Sequence, residues 1–152
     1  AVYLASLGYE VVAVDQSEVG LVKAAELAAQ QGVQIQTIVA DLAEFIIEPD
    51  TWQGVVSIFC HLPSALWQQV HSDAIAGLTS GGALVLESYT PRQLEFRTGG
   101  PSNVDMLVSL ETVKSSLTEL HWKIAREVDR EVIEGAYHTG LAAVVQILAE
   151  AY

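Results

Sequence analysis

The stretch AVYLASLGYEVVAVDQS, residues 1–17, decides how the rest of the chain reads. AVYLASLG has the character of a helix's last turns, stopped at Gly8, because glycine accepts the left-handed backbone that ends helices. VVAVD, residues 11–15, is a continuous apolar run closed by an acid, as in a strand covered on both faces. A helix that feeds such a strand ordinarily follows a strand and a glycine loop of its own. That pair is not in this sequence, and the expectation is a single domain, residues 1–152, truncated at its N-terminus.

Onward from Asp15, strands and helices alternate. Ser17 is placed to cap a helix whose Leu21, Ala25 and Ala28 share a face, and Gly32 ends it. VQIQTIVAD (residues 33–41) reads as a second strand, and LAEFIIEPD as a short helical or irregular piece stopped at Pro49. GVVSIFCHLP (residues 54–63) reads as a third, buried strand. Pro63 then suits the first turn of a helix striped by Leu66, Val70, Ala74 and Leu78. SGG (residues 80–82) separates that helix from a fourth strand, ALVLESY (residues 83–89). This alternation predicts an α/β fold, a parallel sheet with helices on both faces. Then the character changes. TPRQLEFRTGGPSNVD (residues 90–105) is a loop, and LVSLETVKSSLTEL is helical with Ser109 as its cap. Two long strands follow, joined near Gly135 to Gly140 with no helix between them, so they must pair antiparallel. In the first of them Trp122, Ile124, Val128 and Val132 fall on one face.

Composition narrows the partners. Apolar residues make up 51% of the 152 and are spread along the chain, which supplies a core and excludes disorder. The net charge of −12, with seven Lys and Arg, repels phosphate backbones and anionic bilayers, so neither nucleic acid nor membrane is expected as a partner. Cys60 is the single cysteine, which rules out an internal disulfide and a cysteine-caged metal. The histidines at 61, 71, 121 and 138 lack metal-ligand spacing, and no metal is expected. With no apolar run near the roughly 20 residues of a membrane span and no signal-peptide pattern, a cytoplasmic location is the expectation.

In open α/β sheets the ligand lies at the carboxyl ends of the strands. Those ends here are Asp15, Asp41, Cys60–His61 and Ser88–Tyr89. A carboxylate at Asp15 can accept from the vicinal hydroxyls of a ribose, or it can cap the helix that follows Gln16. Asp41 can accept from an adenine amino group with Leu42 packed on the ring, or it can cap LAEF. His61 is a polar contact for substrate or a turn histidine packed on Trp67. Cys60 has no evident base and suits a small buried hydrophobe. Arg97, in RTGGP, can hold an anionic acceptor. His138 can serve as general base or acceptor contact, with an ordinary pKa near operating pH. For these last two the alternative is a solvated loop residue.

VVAVDQS, IVADLAEF, VVSIFCHLP, GGALVLESY and the final hairpin together resemble the class I S-adenosylmethionine-dependent methyltransferases, in the branch related to tellurite-resistance methyltransferases. The resemblance covers the whole chain. It implies a Rossmann-like sheet of strand order 3-2-1-4-5-7-6 with strand 7 antiparallel, strand 1 being the one absent from this sequence. It implies S-adenosylmethionine as cofactor, with Asp15 and Gln16 at the ribose, Asp41 and Leu42 at the adenine, and Phe59 and Cys60 near the methionine end. His61 then stands near the transferred methyl and His138 close to the acceptor site, both as catalytic candidates, and Tyr89 and Arg97 are expected to bind a small-molecule acceptor. The family's glycine-rich cofactor loop is absent here, so impaired cofactor binding is expected of this chain. Two other readings stand beside it: an NAD-binding oxidoreductase domain, which also uses an acid at Asp15, and a methyltransferase-like binding module without catalysis.

Overall fold

The computed structural model describes residues 1–133 and 139–152, and the chain divides into two compact units, residues 1–46 and 47–152. In the first unit helix α1 (Val2–Ser6) runs out at Gly8, whose φ of 93° suits glycine. Strand β1 (Val12–Asp15) pairs in parallel with β2 (Gln36–Val39), and Asp15 stands opposite Val39. Between them lies α2 (Glu18–Gln30). The Ser17 hydroxyl caps it by accepting from the Gly20 N–H at 3.1 Å. Leu21 and Ala28, seven residues apart on one face, are buried.

The second unit holds β3 (Trp52–Ile58), helix α3 (Ser64–Gly77), β4 (Leu78–Tyr89), α4 (Gln93–Phe96), a 3-10 turn (Val104–Met106), α5 (Leu110–Ser116), β5 (Leu120–Ile133) and β6 (Thr139–Ala151). Its sheet has the order β3-β4-β6-β5. β3 and β4 are parallel, and β6 runs antiparallel to both its neighbours. The last strand therefore sits inside the sheet, as a helix-linked parallel pair followed by a direct hairpin predicts. Leu84 and Leu86 of β4 and Val145, Ile147 and Ala149 of β6 form the core with Trp67 of α3 and with Val113 and Leu117 in and after α5. The opposite face carries a polar row: Gln146 donates to Glu87 at 2.8 Å, Arg126 donates to Gln146 at 2.8 Å, and Arg130 pairs with Glu87.

Four local expectations give way to tertiary structure. Trp122 and Ile124 do not share a face. The β5–β6 register shifts between them, so Trp122 stands opposite Ala149 on the core side and Ile124 opposite Leu148 on the other. The extra residue of such a bulge reverses the alternation beyond it. SGG does not separate α3 from the strand. Leu78 already pairs with Trp52, and the ladder resumes at Ala83 with Gly54, so the glycines form a bulge inside β4. α3 buries Trp67, His71, Ala74 and Gly77 and leaves Leu66 and Val70 half-buried, a face turned by about one residue from the expected stripe. Finally, β1 and β3 are not covered on both faces. Val12 and Val14 are half-buried, and Val56 and Ile58 are 49% and 46% exposed. Among the described residues β1 pairs only with β2 and β3 only with β4, so each is the edge of its sheet.

His71 explains the turned face of α3. Its ring lies on Trp67 at 4.2 Å and 26°, Nδ1 is 2.8 Å from the Trp67 carbonyl, and Nε2 is 2.9 Å from the Ser57 hydroxyl. A carbonyl only accepts, so Nδ1 carries the proton and Nε2 accepts from Ser57. Both nitrogens of this buried ring are thereby paired. Burial holds its pKa below the ordinary histidine value, against the opposing pull of the Trp67 carbonyl. Protonation therefore favours the unfolded chain. The contribution of His71 is complete above the unfolded value of about 6.5 and is lost as pH falls through that value toward the lower folded one. Urea unfolding across this window should show stability falling with pH, and His71→Gln, which cannot titrate there, should flatten that slope while lowering stability at neutral pH.

Candidate functional site

In the first unit the Ala40 N–H donates to the Asp15 carbonyl at 3.1 Å, which carries the β1–β2 ladder one step past β2. Both strands therefore end at one edge, with Asp15 on the first and Asp41 just after the second. Asp15 Oδ1 accepts from the Ser17 N–H at 2.8 Å, and Asp41 Oδ1 accepts from the Ala43 N–H at 2.9 Å. Each acid thus closes the local turn. Each also keeps a second oxygen outside these bonds, and both residues are exposed. Gln16 is exposed beside Asp15, and Leu42 is half-buried beside Asp41. Two carboxylate oxygens with one apolar side chain form a donor-seeking edge that fits a ribose diol and an exocyclic amine.

In the second unit the carboxyl ends of β3 and β4 carry rings. Phe59 follows β3 with a φ of 51°, rare for a residue with a side chain. Its N–H is held by the Glu87 carbonyl at 2.8 Å, and its own carbonyl accepts from the His61 N–H at 3.1 Å, a tight turn around Cys60. That turn brings Phe59 to 4.6 Å from the Tyr89 ring and lays His61 parallel to Tyr89, 5.2 Å away at 4°. His61 Nδ1 lies 3.2 Å from the Met106 carbonyl and 3.4 Å from the hydroxyl of buried Ser88. Asn103 caps the 3-10 turn that presents Met106, accepting from the Asp105 N–H at 3.1 Å. Asp105 in turn accepts from the N–H of Ser64, the first residue of α3, at 3.2 Å. The Ser64 hydroxyl and N–H together hold the Asp105 carboxyl below the usual range.

The loop after β4 is bolted to β6 by side chains. Gln93, 1% exposed, accepts from the Ala143 N–H at 2.9 Å and donates to Thr98 at 3.0 Å and to the Gly99 carbonyl at 3.1 Å. Thr98 donates to the Leu141 carbonyl at 2.7 Å. Gly100 is thereby pressed on Tyr89: a Cβ there would stand 2.5 Å from the ring.

Of the site residues expected from sequence, the structure brings Phe59, His61 and Tyr89 together around the Cys60 turn. Asp15, Gln16, Asp41 and Leu42 share the edge of the first unit. Arg97 is exposed in a left-handed conformation, φ 56°, and among the described residues no hydrogen bond or ion pair joins it to the ring cluster. His138 lies outside the described residues. The histidine packed on Trp67 is His71 and not His61. Met106 and Gln93 escape the sequence: a backbone carbonyl has no side-chain signature, and a glutamine in a polar loop looks solvated. Asn103 ahead of Asp105 was the legible sign of that turn.

The profile of a family described as a methyltransferase domain matches residues 1–82 of the 152. Among solved structures, TehB from Haemophilus influenzae is 16% identical with a TM-score of 0.79, covering 100% of this chain and 53% of its own. A SAM-dependent methyltransferase from Methanosarcina mazei is 14% identical with a TM-score of 0.69, covering 98% and 85%. The [4+2]-cyclase SpnF is 11% identical with a TM-score of 0.66, covering 93% and 66%. The chain thus spans about half the length of TehB. No curated protein matches it at a significant level.

The packing of Gly100 gives a direct check. Gly81 has a similar φ, 77° against 84°, but open space where a Cβ would go. Gly81→Ala should cost only the left-handed backbone, about 1–2 kcal/mol. Gly100→Ala adds the clash with Tyr89 and should cost more, by about 1–3 kcal/mol. Urea midpoints of the two variants, compared at unchanged slope, measure the difference.

Proposed function

The chain belongs to the methyltransferase-domain family, and we propose that it transfers the methyl group of S-adenosylmethionine to a small-molecule acceptor. The observation that carries this reading is the paired edge of the first unit, where Asp15 and Asp41 stand at neighbouring strand ends with one carboxylate oxygen each left over from their turns. Asp15 holds the ribose hydroxyls and Asp41 the adenine amino group, with Leu42 against the ring. S-adenosylmethionine supplies a methyl already activated on a sulfonium, so the protein's part is positioning and proton handling. In the second unit the ring cluster of Phe59, His61 and Tyr89 receives the acceptor. A small acceptor is supported by the loop at residues 97–100, which is drawn tight onto Tyr89 and leaves a modest rim. The net charge of −12 supports such an acceptor over nucleic acid or a membrane surface, and a reducing cytoplasm suits a chain with one cysteine. Among the described residues no helix is long and apolar enough to cross a membrane.

Calorimetric titration with S-adenosylhomocysteine tests the cofactor assignment. Asp15→Ala should weaken binding by about 1.5–3 kcal/mol, the worth of hydrogen bonds to a charged group. Asp41→Ala should cost less, because Leu42 keeps its contact. NAD titrated in parallel should give no binding heat. Preference for NAD, or unchanged S-adenosylhomocysteine affinity in Asp15→Ala, would overturn the reading.

A further inference from the structure

The sheet of the second unit has one covered face and one open one. Helices α3 and α5 set Trp67 and Val113 on the face of Leu84, Leu86, Val145 and Ile147. On the opposite face Leu107 packs over the end nearest Tyr89, with Val132, Ala142 and Val144. Away from that end, Ile58, Glu87, Gln146 and Arg126 stand opposite one another from strand to strand. Two residues further along, on the same face, Val56, Val85, Leu148 and Ile124 form a second row across all four strands. Val56, Val85 and Ile124 are 49%, 36% and 42% exposed. An aliphatic stripe thus runs from one edge of the sheet to the other, where sheets ordinarily bury such a row against a second layer. The charges beside it leave the face slightly positive. Glu87 is paired with Arg130 and Glu150 with Lys123, whereas Arg126 donates to the Gln146 amide oxygen and meets no carboxylate among the described residues. On a chain of net charge −12 this is a face that a second copy can approach without acid confronting acid.

We propose that this open face is a self-association surface, on which a second copy of the chain lays its own stripe about a two-fold axis running along the strands between β4 and β6. Such an axis sets β3 of one copy over β5 of the other, and β4 over β6. Val56 then meets Ile124 of the second copy, Val85 meets its Leu148, and each contact occurs twice. Arg126 meets the uncharged Ile58. The two Arg126 side chains stand three strand spacings apart, about 14 Å, which exceeds the Debye length of about 8 Å at physiological salt. A two-fold axis across the strands would instead set β5 over β5 and bring Arg126 toward Lys123, so charge selects the first arrangement. Four strands about 4.8 Å apart and five residues of about 3.3 Å give a footprint of roughly 300 Å². A standard interface takes about 800 Å² from each partner, so the dimer is weak and forms as concentration rises.

Sedimentation velocity of the full chain, carried up to millimolar concentration, tests this. The wild type should pass from monomer to dimer and stop there, because a two-fold contact closes on itself. Ile124→Glu sets a lone carboxylate into the apolar stripe and should weaken the dimer by about thirtyfold or more. Val56→Lys should do the same. Combined in one chain, the two substitutions should restore the dimer, because the introduced charges meet only across the interface. Within one chain positions 56 and 124 lie on the two outer strands of the sheet, about 14 Å apart. Far-UV circular dichroism checks that each variant keeps its fold. A wild-type chain that stays monomeric throughout, or that grows past the dimer, would overturn the proposal. So would folded single variants that dimerise like the wild type, or a folded double variant that associates no better than either single one.

Discussion

Everything in the second unit hangs on β6 being paired along both edges. Its Val144, Val145 and Ala149 are sealed from solvent, with β4 on one side and β5 on the other. Such a strand has no freedom of register, because a slip of one residue would turn Val145 and Ile147 out of the core. The fixed strand then extends its influence past the end of β4. Where β4 stops at Tyr89, the Ala143 N–H and the Leu141 carbonyl would be left over, and Gln93 and Thr98 take them up. Two side chains thus continue a backbone ladder. The loop they carry lands Gly100 on Tyr89, Tyr89 stacks on His61, and the geometry of the ring cluster follows from a strand whose own Ala142 and Val144 share a hydrophobic cluster with Tyr89 and Phe59.

Much of this was legible in the sequence. Alternating apolar runs and capped helices announced the parallel pairs, and two strands without a helix announced the inserted antiparallel one. The signals that failed were the ones where a neighbour decides. Nothing local tells Trp122 from Ile124. The bulge between them exists because Trp122 gains a place in the core beside Ala149, and that partner lies 27 residues away. The face of α3 turned because Trp67 and His71 fill the core better than Leu66 and Val70, once Ser57 is there to satisfy the buried imidazole. His71, of which the sequence says only that it lacks metal-ligand spacing, is a core residue, since a neutral ring with both nitrogens paired buries at little cost.

At the two aspartates capping is observed, and it leaves room for the proposed binding role. A carboxylate has two oxygens. At Asp15 and at Asp41 one oxygen closes the turn that follows the strand, and this local bond is what orients the other. Under the proposed cofactor reading the cap would belong to the binding device, because it removes rotamer freedom before binding. The same economy appears at Asp105, whose carboxylate begins a helix and holds a turn at once.

Membership of the family does not by itself fix the reaction, for a fold hosts chemistry through the groups set on it. What distinguishes a transferase from a binding module on this scaffold is whether an acceptor is held in line with the activated methyl. Among the described residues two histidines have Nδ1 against a backbone carbonyl. At His71 the opposite nitrogen is closed off by Ser57 inside the core, which makes the residue structural. At His61 the ring lies just after β3, stacked on Tyr89 with Nδ1 facing the Met106 carbonyl, and its Nε2 is buried as well. The two histidines thus share the bond at Nδ1 and differ in its source: a carbonyl of the same helix for His71, and one from a turn distant in sequence for His61.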